Sequence, residues 1–90
     1  MDKNFTLEIF TPKRKVFNGL VTSLIVPAEL GYLGVWAHHA PLVTALVRGK
    51  IIYRSESGSP HTLHIQRGGF LEVRRNTATV LAEEVGETQP

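Results

Sequence analysis

Nowhere does this chain carry an apolar stripe at helical spacing over any length. Its apolar residues fall instead in short runs, several of them alternating with polar ones, and each run ends at Gly, Pro, Asn or a cluster of small polar residues. A period-two rhythm marks half-buried strands. Many short strands separated by turn signals predict an all-β sandwich or barrel.

The first run is Phe5-Thr6-Leu7-Glu8-Ile9, closed by Thr11-Pro12, where proline lacks the N–H that a sheet ladder uses. Val16 and Phe17 resume the pattern before Asn18-Gly19, a dipeptide that reads as a hairpin turn. Leu20 to Pro27, rich in β-branched residues, reads as a central strand. Ala28 to Gly34 reads as a tight loop that exposes Leu30, Tyr32 and Leu33, with Val35-Trp36 as a very short strand after it. Later runs are Leu42 to Val47, Ile51 to Tyr53, Leu63 to Ile65, Phe70 to Val73 and Thr77 to Ala82, with turns at Ser55 to Pro60, Gly68-Gly69 and Arg75-Asn76. Glu83 to Pro90 holds too little apolar content to fold back as an amphipathic helix and is expected to fray.

Ninety residues leave room for one domain with a single core. The absence of cysteine removes disulfides, thiolate nucleophiles and cysteine-based metal sites. Ten Lys and Arg against eight Asp and Glu give a formal charge of +2, and the only cation runs, Lys13-Arg14-Lys15 and Arg74-Arg75, flank turns. That is too weak and too scattered to indicate nucleic acid. No apolar stretch is long enough to span a bilayer as a helix.

Candidate chemistry is sparse. His38 and His39 are adjacent, and His61 and His64 are three apart in a strand, so each pair sends its rings to opposite sides and neither chelates a metal by itself. No Gly-x-Ser-x-Gly elbow and no phosphate-binding loop occurs. The paired carboxylates Glu83-Glu84 lie near the end of the predicted domain, far from any pocket that would tune an acid. The sequence therefore assigns no catalytic, metal or nucleotide site and no cofactor. The unusual feature is the glycine-framed segment with Leu30, Tyr32, Leu33 and Trp36, which is either a core plug or an anchor for a partner.

The order of the runs resembles the N-terminal β-sandwich domain of the epsilon subunit of F-type ATP synthases. The most specific strings are His39-Ala40-Pro41-Leu42 and Gly68-Gly69-Phe70-Leu71-Glu72-Val73. Weaker matches are the opening Phe5 to Ile9 with Thr11-Pro12, the Val16 to Gly19 segment, Val26-Pro27 through Leu33-Gly34-Val35, and Thr79 to Ala82. The resemblance implies a ten-stranded sandwich over residues 1–84, with a flexible acidic tail at 85–90 and no C-terminal helical domain. It implies a non-catalytic rotor subunit of the central stalk that links the gamma subunit to the c-subunit ring and touches the alpha/beta head only indirectly.

Carried over by position, Gly31, Tyr32, Leu33 and His39 would face the c ring, and Thr11, Ala40 and Val43 would face gamma. Tyr32 stands where an acidic residue is common in the family, and Ala37-His38 replaces a usual Pro-Gly. Full-length bacterial relatives add a helical pair that restrains ATP hydrolysis and in some members binds ATP. This sequence has no such pair, so coupling without that brake is expected. The implied location is the cytoplasmic face of a bacterial inner membrane or its thylakoid equivalent, with membrane contact only through the c ring. The competing expectation from another class is a free-standing sandwich that binds a peptide or carbohydrate through Tyr32 and Trp36.

Overall fold

Alternation in the sequence becomes inside and outside in the computed structural model, which describes residues 3–87. In β1 (Phe5–Phe10), Phe5, Leu7 and Ile9 are buried while Thr6, Glu8 and Phe10 lie on the other face. Eight further strands follow: β2 (Lys15–Ala28), β3 (Gly31–Val35), β4 (Leu42–Leu46), β5 (Gly49–Ser55), β6 (Pro60–Ile65), β7 (Gly69–Arg74), β8 (Thr77–Ala82) and β9 (Val85–Glu87). The fold is all-β, as expected from the sequence, and no helix occurs among the described residues. Among the described residues nine strands stand where ten were expected.

The long β2 organises the two layers. Its N-terminal half pairs with β1, and its C-terminal half pairs with β3 and β5. One layer runs from β1 through β8 and β7 to β4, and the other runs from β3 through β2, β5 and β6 to β9. A contact of Ala28 at the end of β2 with Leu46 on β4 closes a circuit of paired strands through β1, β8, β7, β4 and β2. β1 and β8 are parallel; every other pairing is antiparallel.

Asn18-Gly19 is not a turn. Both residues lie inside β2, opposite Glu8 and Leu7, because the chain has already reversed at Thr11 to Arg14. There the Thr11 N–H donates to the Arg14 carbonyl (2.9 Å), and Thr11 Oγ1 accepts from the N–H groups of Lys13 and Arg14 (3.2 Å each). With that hairpin closed by a side-chain-capped turn, Asn18-Gly19 has a β1 partner to pair with and no reason to bend. Further along, the register slips between Val21 and Ser23 against β5. The extra residue restores the inward phase, so that Val21, Leu24 and Val26 all reach the core despite their uneven spacing.

Residues 28–34 are not a loop either: only Glu29 and Leu30 turn, and Gly31 to Val35 fold back as β3 along the edge of β2. The tail boundary also moves. Val85 is buried and β9 pairs with β6, so residues 85–87 belong to the sandwich, held there by an apolar side chain and by ladder bonds. The rest of the expected tail, residues 88–90, lies outside the described residues.

Between the layers sit Leu7, Ile9, Leu24, Val26, Ile51, Ile65, Leu71 and Val80, all essentially without solvent contact. Each such side chain contributes about 1.5–3 kcal/mol relative to its exposed state. No polar or charged side chain is buried among the described residues, so the core serves packing alone.

Candidate functional site

The outer face of the β4-β7-β8-β1 layer is where apolar residues break the rule that solvent-facing positions are polar. In β7, adjacent Phe70 and Leu71 must point to opposite faces; Leu71 fills the core, so Phe70 goes outward. The register then builds a row across four strands. Ala45 lies opposite Phe70, Phe70 opposite Leu81, and Leu81 opposite Phe10. Phe70 is 59% exposed and Leu81 53%, and Val43, one outward position along β4, is 69% exposed.

The row borders an open groove of about 550 Å³ lined by Thr11, Pro12, Ala45, Phe70, Leu81 and Ala82 among others. Gly69 forms part of its floor: a Cβ there would collide with the backbone of Leu81 and Ala82, so β7 and β8 approach closely because position 69 has no side chain. Lys15 ends the row, its Nζ 5.6 Å from the centre of the Phe10 ring. A contiguous apolar strip of this kind on a small sandwich is the type of surface on which contacts with other proteins are made.

The expected gamma-facing residues fall around this face in different ways. Thr11 lines the groove, although its hydroxyl is occupied in holding the β1-β2 turn. Val43 stands exposed on β4 beside Ala45. Ala40 is exposed in the segment that leads into β4. Phe10, Ala45, Phe70 and Leu81 were not singled out from the sequence. Their signal was present in strand parity, since Phe70-Leu71 and Val80-Leu81 are apolar neighbours of which only one can face inward.

The expected c-ring-facing residues are not brought together. Gly31 and Tyr32 lie at the tip of the β2-β3 hairpin, next to Leu30, which is fully exposed. His39 lies beyond the other end of β3, about 13 Å or more away by strand length. Leu33 packs partly against the core. The Tyr32 hydroxyl accepts from the Lys50 N–H (3.2 Å), and the Trp36 indole lies over Gly34. Both aromatics are exposed on the outer face of the second layer yet already packed on their own sheet.

The His38-His39 segment is held by Asn76. The His38 N–H donates to Asn76 Oδ1 (2.7 Å), and Asn76 Nδ2 donates to the Asn4 carbonyl (2.9 Å). Its own carbonyl accepts from the Thr6 N–H (3.1 Å). Arg75 and Asn76 form the β7-β8 turn with φ of 49° and 58°, a left-handed pair that asparagine tolerates well. His39 turns back on its own chain, its Nδ1–H donating to the Ala40 carbonyl (2.7 Å). His61 stacks on Tyr53 at 5.1 Å between ring centres, and Tyr53 is 4.6 Å from Phe17. No group of three or more His, Asp or Glu converges among the described residues.

A two-layer sandwich whose most distinctive surface is an apolar row across one outer face is a module for being held against another protein. Residues 4–87 match the family described as "ATP synthase, Delta/Epsilon chain, beta-sandwich domain", and the chain belongs to that family. Similar proteins include the ATP synthase epsilon chain of Chlorobaculum tepidum, 44% identical over 93% of this chain and 94% of that one. The epsilon chain of Pelotomaculum thermopropionicum is 47% identical over 90% of this chain; the match spans only 59% of that protein's length. The fold is also that of a chain in the cryo-EM structure of Euglena gracilis mitochondrial ATP synthase (OSCP/F1/c-ring). There the TM-score is 0.89 at 20% identity, covering 97% of this chain and 55% of that one.

Proposed function

We propose that this domain is a non-catalytic central-stalk subunit of a rotary ATP synthase, seated on the gamma subunit and facing the c ring. Rotation driven by ion flow is thereby passed to the catalytic head. The observation that carries this proposal is the outward apolar row of Ala45, Phe70, Leu81 and Phe10 on a member of the epsilon-chain family. Burying such a row against gamma removes apolar area from water, and a close-packed sandwich passes torque with little internal yielding. In this role the β2-β3 tip at Leu30 to Tyr32 points toward the ring, and Thr11, Ala40 and Val43 lie toward gamma.

The chain is peripheral to the membrane, with membrane contact only through the c ring, on the cytoplasmic face of a bacterial inner membrane or its thylakoid equivalent. Residues 3–87 hold the sandwich and include no helix. Capture of the cognate gamma subunit tests the proposal. The wild-type chain binds gamma in equal proportion, and Phe70→Asp or Leu81→Asp reduces that binding more than tenfold while leaving the thermal midpoint nearly unchanged. Binding of either variant at wild-type strength would overturn it.

A further inference from the structure

The row next to the apolar one on the same face carries two carboxylates. One outward position along each strand, Val43 lies opposite Glu72, Glu72 opposite Thr79, and Thr79 opposite Glu8, with Asn18 of β2 beyond. With strands about 4.8 Å apart, the two glutamates are set about 10 Å from each other in one line. Residues two apart on a strand are separated by about 7 Å, so the line runs directly beside Phe70, Leu81 and Phe10. Among the described residues neither carboxylate is paired: the ion pair found there is Arg67 with Glu83 at 3.8 Å, both side chains exposed. The nearest outward cations on this face belong to other rows. Arg74 lies with Thr77, Thr6 and Leu20 on the far side of the glutamates, and Lys15 sits over Phe10.

Resting on the proposed seat for gamma, we infer that the segment of gamma covering this face has apolar side chains over Phe70 and Leu81, with Lys or Arg side chains beside them, opposite Glu72 and Glu8. Any element broad enough to cover the apolar row shadows the adjoining line, because a helix with side chains is about 10 Å across. Desolvating two carboxylates without partners is costly, whereas pairing them with cations from the docking surface offsets that cost and fixes the sideways register of the interface. The apolar row gives the contact its area. The carboxylate line selects which polypeptide sits there and in which position.

The test is titration of cognate gamma with the whole chain over a range of salt, using Glu72→Gln, Glu8→Gln and Glu72→Lys, with Glu29→Gln at the hairpin tip as the control. Each carboxamide variant is expected to weaken binding roughly tenfold at low salt and to flatten its salt dependence. Glu72→Lys is expected to weaken it more, and Glu29→Gln not at all. Far-ultraviolet circular dichroism and the thermal midpoint verify that the variants fold. Wild-type affinity and wild-type salt dependence in both carboxamide variants overturn the inference. If Phe70→Asp still abolishes binding in that case, the seat itself stands and only its charge pairing is lost. If Phe70→Asp binds normally, the proposed seat falls and this inference falls with it.

Discussion

The outer edge of the Trp36 indole lies over Gly34, two residues before it, where a β-carbon would come within 2.5 Å of the ring. The colliding atoms are the far edge of an exposed side chain, so the ring can swing away at modest cost. Gly34→Ala is therefore expected to change stability by only about 1 kcal/mol but to release the indole into water. Trp36 is the only tryptophan in the chain, so its emission reports this directly. A red shift without loss of the cooperative unfolding transition is the expected result. An unshifted spectrum would show that the ring does not rest on position 34 in solution.

Gly69 presents the opposite case. The space a β-carbon would need is filled by the backbone of Leu81 and Ala82, which cannot move aside without opening the β7-β8 ladder. Gly69→Ala is expected to cost about 2–3 kcal/mol, measured by urea unfolding. It should also disturb the alignment of Phe70 with Leu81 and so weaken gamma binding beyond the loss of stability. A variant as stable as wild type would mean that the two strands are not so closely apposed.

Much of this architecture was legible in the sequence because strand parity is local. Phe5, Leu7 and Ile9, or Leu63 and Ile65, need only their own spacing to declare which face is inside. Three features were not legible, each because it depends on a partner distant in the chain. Asn18-Gly19 has turn chemistry, but Thr11 had already closed the hairpin, so the dipeptide was drawn into β2 by Glu8 and Leu7. Gly31 to Val35 resembles a loop until β2 offers an edge to pair with. The docking row was hidden because Ala45, Phe70, Leu81 and Phe10 are scattered over more than seventy residues and meet only through register. Gly31 and His39, near in sequence, are likewise set apart by β3, Gly31 at its start and His39 beyond its end.

Asn76 supplies a prediction in which backbone conformation and side-chain bonding can be separated. Its φ of 58° suits glycine as well as asparagine, so Asn76→Gly keeps the turn while deleting the bonds to His38 and Asn4. That loss is expected to cost about 1–2 kcal/mol. Asn76→Ala deletes the same bonds and adds left-handed strain of about 1 kcal/mol, so it should be the less stable of the two by that margin. Amide hydrogen exchange at His38 should quicken in both. Equal stability of the two variants would argue against the left-handed turn.

Leu30 tests the ring-facing end independently of the gamma seat. It is fully exposed at the tip of the β2-β3 hairpin and contributes nothing to the core, so Leu30→Asp is expected to leave stability within about 0.5 kcal/mol of wild type. It should also leave gamma capture intact, because Leu30 belongs to the β2-β3 tip and takes no part in the outward row of Ala45, Phe70, Leu81 and Phe10. What should fall is ion-driven ATP synthesis in membranes reconstituted with the variant, since the substitution removes the exposed apolar side chain that the proposed ring contact covers. Phe70→Asp should fail earlier, at gamma capture itself. If Leu30→Asp supports synthesis at the wild-type rate, the tip does not bear on the ring, and the ring contact must lie elsewhere on the domain.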